Sequence, residues 1–194
     1  QFYYMIKNIK WKGNACSLLT FLDLFAGIGG FRMGMEKAGH ECIGYVEVDK
    51  FARRSYEAIY ENNEEWKEYD ISKVTNDEIR KLKKEKEIDV ICGGFPCQSF
   101  SIAGKRRGFE DTRGTLFFEI LRFASIIKPR YLFLENVKGL VNHKKGETLD
   151  VMIKTLCDIG YIVDFEILNS KYFSVPQNRE RIFIIAIRDD LVEQ

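Results

Sequence analysis

The stretch that most limits what this chain can fold into is Leu18-Leu19-Thr20-Phe21-Leu22-Asp23-Leu24 followed at once by Phe25-Ala26-Gly27-Ile28-Gly29-Gly30. An apolar run of strand length leads through a glycine turn into a helical pattern from Phe31 to Ala38, which Gly39 stops. Strand, glycine loop and helix in that order open an α/β sheet that binds ligands at the carboxyl ends of its strands. The glycines admit a ligand close to the backbone, and the helix N-terminus offers unpaired N–H groups to a carboxylate or phosphate. The spacing is G-x-G-G rather than G-x-G-x-x-G, which weakens a dinucleotide reading. Taken alone, the turn reads equally well as a tight connection.

The remaining chain repeats the alternation. A second strand, Glu41 to Val46, ends in Glu47-Val48-Asp49, where an acid grips ribose hydroxyls in this architecture. Lys50 to Tyr60 is helical. Trp66 to Tyr69 is a short strand ending at Asp70-Ile71, whose apolar member could pack on an adenine face. Thr75 to Glu87 is a charged helix with Ile79 and Leu82 inward and its lysines in solvent. The apolar run Ile88 to Cys92 delivers Gly93-Gly94-Phe95-Pro96-Cys97-Gln98-Ser99-Phe100-Ser101 to another strand end. Pro96 fixes φ just before Cys97, which is how a nucleophile is held, although a cysteine after a strand is more often a small buried hydrophobe.

Ala103 to Gly114 is rich in glycine and arginine without periodicity, and its cations beside Phe100 and Phe109 suit a phosphate backbone as well as a plain polar loop. A helix with Leu116, Phe117, Ile120, Leu121, Ala124 and Ile127 on one face ends at Pro129. The strand Tyr131 to Leu134 ends in Glu135-Asn136-Val137, and His143 sits in a solvated loop. Leu149, Met152, Ile153, Leu156 and Cys157 form a core stripe. Strands Tyr161 to Leu168 and Arg181 to Ile187 flank a connection carrying Pro176-Gln177-Asn178-Arg179-Glu180-Arg181; if it is extended, Arg179 and Arg181 point the same way.

At 194 residues, 45% hydrophobic and 30% charged, the chain suits one domain with a substantial core, residues 1–17 forming an N-terminal extension. Its net charge of +1 gives no global field toward nucleic acid or membrane, so such contacts must be local patches. The 5 cysteines are scattered without CxxC spacing, which argues for reduced thiols in a cytoplasmic compartment and against a zinc site or disulfide framework. No run has the length of a signal peptide core or a membrane span, and Met5 is a plausible native start.

Four segments, in this order, resemble the cytosine-5 DNA methyltransferases: Asp23-Leu24-Phe25-Ala26-Gly27-Ile28-Gly29-Gly30, Gly94-Phe95-Pro96-Cys97-Gln98, Glu135-Asn136-Val137 and Gln177-Asn178-Arg179-Glu180-Arg181. The resemblance runs from Thr20 to Leu191. It implies the S-adenosylmethionine-dependent methyltransferase fold, a Rossmann-like α/β sheet, mostly parallel with a reversed last strand. It implies that a Cys97 thiolate adds to carbon 6 of cytosine so that carbon 5 accepts a methyl group. Glu135 then bonds ring nitrogen 3 and the amine, Arg181 the base carbonyl, and Arg179 supports the same pocket. Phe25, Gly27, Gly30, Glu47, Val48, Asp70, Ile71, Pro96 and Leu116 surround the cofactor, and Gln98, Ser101, Asn136 and Gln177 the substrate. Some relatives carry tryptophan where Val48 stands, so stacking on adenine is weaker here. The target base must be flipped out of duplex DNA. The family continues into a target-recognition region and closing motifs, so the resemblance implies that this part comes from beyond residue 194 or from a second chain. A subunit that binds cofactor but is inactive without its partner, and a tRNA methyltransferase, are the competing readings. A restriction-modification system is the expected setting.

Overall fold

The computed structural model describes residues 18–60, 64–96 and 116–192. The sequence-predicted nucleophile Cys97, with Gln98, Ser101 and the basic segment 105–113, lies outside the described residues, as does the extension 1–17.

Seven strands form one sheet in the order β3-β2-β1-β4-β5-β7-β6. They are β1 (Thr20–Leu24), β2 (Glu41–Val46), β3 (Trp66–Glu68), β4 (Val90–Gly94), β5 (Tyr131–Val137), β6 (Tyr161–Asn169) and β7 (Glu180–Arg188). β1 to β5 pair in parallel, while β7 runs antiparallel to both β5 and β6. The expected sheet with a reversed last strand is therefore present, and its order changes direction at β1 and β4, where such sheets open a crevice.

Helices α1 (Gly30–Lys37), α2 (Lys50–Ile59), α3 (Asn76–Glu85), α4 (Leu116–Ile127) and α5 (Glu147–Asp158) connect the strands. Asp49 caps α2 by accepting from the Phe51 and Ala52 amides, and Thr75 with Glu78 forms a capping box on α3. One sheet face, bearing Leu22, Leu24, Ile91, Leu132, Leu134, Ile182 and Ile184, is covered by the apolar sides of α3, α4 and α5. The opposite face packs Phe21, Cys42, Val90 and Cys92 under α1, and Tyr45 on Tyr56 of α2, the two rings stacked at 4.2 Å. On that second face Phe133 and Phe183 continue the apolar surface beyond α1, with ring centroids 5.8 Å apart. A groove of about 620 Å³ is lined there by Phe133 and Phe183 together with Gly34 and Met35 of α1 and Ala38 just past its end, and the Phe31 and Phe133 rings meet edge-on at 5.1 Å.

Two sequence expectations need correction. Cys157 is exposed, because the inward stripe of α5 is Leu149, Met152 and Leu156, spaced three and four apart, and the next position turns outward. His143 is partly buried, with Nδ1 2.6 Å from the Thr148 hydroxyl at the start of α5. Among the described residues no helix is long and apolar enough to cross a membrane.

Candidate active site

The glycine loop and the acid after β2 meet. Glu47 accepts from the Gly27 amide through Oε2 and from the Asp49 amide through Oε1, both at 2.7 Å. Gly27 reaches this position at φ 57, a conformation glycine adopts without a Cβ penalty, and Phe25 shares it at φ 58. Arg53 of α2 steadies the turn by donating to the Glu47 and Val48 carbonyls at 3.0 and 2.8 Å. The Val48 side chain is 68% exposed beside this loop. Asp70, after β3, accepts from the Ser72 hydroxyl and amide; that hydroxyl, above all, holds its carboxyl below the usual carboxylate range. Ile71 is committed to the core, and Arg122 of α4 binds its carbonyl at 2.9 Å. The expected adenine contact from Ile71 has to contend with that burial. Pro96 is exposed and Leu116 partly buried.

A second cluster forms where β4 and β5 end and the antiparallel β7 begins. Glu135 Oε1 pairs with Arg181 Nε at 2.9 Å, and both side chains are about one-fifth exposed. The register places Glu135 opposite Phe183 and Arg181 opposite Val137, so acid and guanidinium are diagonal neighbours on one face. A Cβ on Gly94 would stand 3.4 Å from Glu135 Oε2, so that oxygen faces the end of β4. Arg179 lines the groove beside Phe25, Gly30 and Glu135, and also a neighbouring cavity of about 430 Å³ with Arg181, Leu168 and Phe173. Asn169 at the end of β6 accepts from the Arg179 amide at 3.2 Å and donates to Asn178 Oδ1 at 2.7 Å, which anchors the turn before β7. Gln177 is exposed in that turn, its carbonyl held by the Ser170 hydroxyl at 2.6 Å.

Asn136 departs from expectation. It is 2% exposed on the face opposite Glu135, and its Nδ2 donates to the Phe95 carbonyl at 2.8 Å. Side chains alternate along a strand, so the residue after the pocket acid points into the core. There it ties β5 to the segment that leads into Cys97 rather than facing a substrate.

In the sequence Asp23 figures only as part of a motif, yet it is the most strongly perturbed carboxyl among the described residues. It lies fully buried on β1, with no hydrogen-bond partner for either oxygen among the described residues. Burial pushes its carboxyl up to about 7, and the neighbouring Arg32 amide and guanidinium offset only part of this. The signal was an acid inside an otherwise apolar strand. Because the folded pKa exceeds the unfolded one, the folded state holds the extra proton and stability falls as pH rises from about 4 to 7. Asp23→Asn is expected to remove that slope, with a gain of about 2–4 kcal/mol over the native chain at pH 8 and little change at pH 4. Urea unfolding at both pH values measures this; identical slopes for the two proteins would show that Asp23 ionises freely in the fold.

The sheet order, the glycine loop at its crevice and the acids at successive strand ends define the S-adenosylmethionine-dependent methyltransferase fold. The model of the C-5 cytosine-specific DNA methylases matches residues 19–194, and the chain belongs to that family. It is 50% identical over 169 residues to the type II methyltransferase M.HpaII of Haemophilus parainfluenzae, covering 86% of this chain and 45% of the relative. It is 44% identical over 183 residues to the type II methyltransferase M.HhaI of Haemophilus parahaemolyticus, covering 94% and 53%. The structure of a Spodoptera frugiperda DNMT2 mutant superposes with a TM-score of 0.70 at 25% identity, covering 89% of this chain and 51% of that one. The chain spans about a third to a half of the length of the curated relatives it matches. Among the described residues there is no group of three or more His, Cys, Asp or Glu that could hold a metal ion.

Proposed function

We propose that these residues are the cofactor- and base-binding portion of a DNA cytosine-5 methyltransferase that methylates a flipped cytosine at carbon 5. The observation that carries the reading is the Glu135–Arg181 pair, set on the same groove as the glycine loop and Arg179. An acid fixed by a guanidinium, with its second oxygen facing a glycine, suits the hydrogen-bonding edge of a pyrimidine.

The loop fits S-adenosylmethionine. Glu47, already an acceptor for two amides, has the lone pairs to take ribose hydroxyls as well, and Gly27, Gly30 and Phe25 leave room for the methionine part. Val48, Asp70, Pro96 and Leu116 are assigned to the same site, while Ile71, at 3% exposure, is left to the core. The bound cofactor supplies an electrophilic methyl group. The protein's own task is to make carbon 5 nucleophilic: the Cys97 thiolate bonds to carbon 6, and the ring's electron pair moves toward carbon 5. Glu135 holds ring nitrogen 3 and the amine, Arg181 takes the base carbonyl, and Arg179 supports the pocket. After transfer, loss of the carbon 5 proton to a base and departure of the thiolate restore the ring. Gln98, Ser101 and Gln177 are assigned roles in substrate binding in this reading. The reduced thiol this needs suits a bacterial cytoplasm, and the type II names of the relatives suit a restriction-modification pairing.

Site-specific reading requires side chains in a groove at fixed positions, and the chain spans only about a third to a half of the length of its relatives. A recognition region contributed by a second chain or by further sequence therefore completes the enzyme in this reading. Tritiated methyl transfer with residues 1–194, alone and with the C-terminal half of a relative, onto duplex DNA and onto tRNA tests it. The expected result is site-specific methylation of DNA only in the supplemented reaction. Robust single-site methylation by the 194 residues alone, or preferential transfer to tRNA, would overturn it.

A further inference from the structure

The mechanism leaves unused a polar cluster buried behind the glycine loop. Arg32, in the first turn of α1, is 5% exposed. Its guanidinium makes a two-pronged bond to Glu65 at 2.8 and 2.7 Å, reaches Glu36 at 2.7 Å and Tyr56 Oη at 3.2 Å, and lies 4.3 Å above the Tyr60 ring. Tyr60, just past the end of α2, donates its hydroxyl to the Gly29 carbonyl at 2.9 Å. A Cβ at Gly29 would overlap the Tyr60 ring, so loop and ring are in direct contact. The Gly29 carbonyl also accepts from the Met33 amide at 2.9 Å.

We propose that Tyr60 and Arg32 are positioning residues of the cofactor loop. Two donors fix the Gly29 carbonyl, and since the peptide is planar and trans, the Gly30 N–H points away from Tyr60. Gly30 lines the groove, so its amide is held ready for an anionic group of the ligand before that ligand arrives. Arg32 clamps the other side of the ring. Its bidentate partner Glu65 stands at the entry to β3, so α1, the end of α2 and β3 share one anchor. A buried ion pair is a costly way to fill space, because apolar residues of the same volume often serve stability as well. What the pair adds is a fixed direction for the stacked ring.

The inference rests on the cofactor reading above, and its test separates the two. Tyr60→Phe keeps the ring and removes only the hydroxyl. In the purified 194-residue chain, hydrogen exchange of the Phe25 to Phe31 amides is expected to rise without ligand, while exchange in β1 and β4 stays unchanged. Calorimetry with S-adenosylhomocysteine is expected to show affinity about three- to tenfold weaker, the usual consequence of one lost hydrogen bond. Arg32→Lys, which keeps the charge but loses the fork, is expected to loosen the same peptide. Native exchange and native affinity in Tyr60→Phe would overturn the proposal. A native chain that fails to bind S-adenosylhomocysteine, with the loop still loosened in Tyr60→Phe, would sink the cofactor reading and leave the positioning role supported.

Discussion

Cys97→Ala is expected to lower methyl transfer by about four orders of magnitude or more, since removing a covalent nucleophile eliminates the step on which the others depend. Affinity for S-adenosylmethionine is expected to stay within about twofold, because the thiolate acts on the base and not on the cofactor, whose proposed contacts are Glu47 and the glycine loop. A free thiol has a pKa of about 8.5, so only a few per cent is ionised at neutral pH, and the pocket must supply positive charge or take the proton as the base docks. DNA carrying 5-fluorocytosine adds a direct readout. Fluorine blocks loss of the carbon 5 substituent, so the native chain, supplied with its recognition region, is expected to form a stable covalent complex that the alanine variant cannot form. Measurable turnover by Cys97→Ala, or no trapped complex with active native protein, would rule out the addition mechanism.

Glu135→Gln is the second large effect. The substitution keeps the shape but removes the charge that faces Arg181 at 2.9 Å, and it replaces one acceptor with a donor toward the base. The turnover number is expected to fall by about two to three orders of magnitude, in the range of a lost acid–base or charge-stabilising group. The KM for S-adenosylmethionine should change little, because its proposed contacts are Glu47 and the glycine loop. Arg181→Lys should reproduce part of the loss through its missing fork. Single-turnover kinetics with supplemented enzyme would decide it; a turnover number within about threefold of native for Glu135→Gln would remove Glu135 from the chemistry.

Much of this site could be read in the sequence because its chemistry lies at strand ends, and strand ends are marked by abrupt changes from apolar to polar or glycine residues. Glu47, Glu135 and the glycine loop each follow a β run, and the structure brings Glu47 onto the Gly27 amide and Glu135 onto Arg181. Even the three-residue β3 was visible from Trp66 onward. What the residues did not reveal depends on direction. Asn136 follows the pocket acid, and only the pleat of β5 shows that it turns into the core. Arg32 carries no local sign of burial in the helical pattern from Phe31 to Ala38. Its burial arises from Glu65, 33 positions later, from Tyr56 of α2 and from Tyr60 just past the end of that helix. Tyr60 was the last residue of a predicted helix, and nothing local indicated that its hydroxyl returns to Gly29. Contacts at such separation depend on how layers stack, which a linear pattern does not encode.

The reversed strand makes the base pocket unusually intolerant of insertions. In a sheet, a slip of one residue exchanges the two faces of a strand. A single residue inserted between Asn169 and Glu180 that shifted β7 by one position would bury Arg181 among the apolar partners of Ile182 and swing that isoleucine toward Glu135. An insertion of two would restore the faces yet displace the guanidinium along the strand by a full pleat repeat, about 7 Å. The connection from β6 to β7 lies at the surface, where length changes are usually harmless, but here it acts as a ruler. Related chains are therefore expected to vary in length on the far sides of β6 and β7 and to keep the spacing between Asn169 and Arg181 constant.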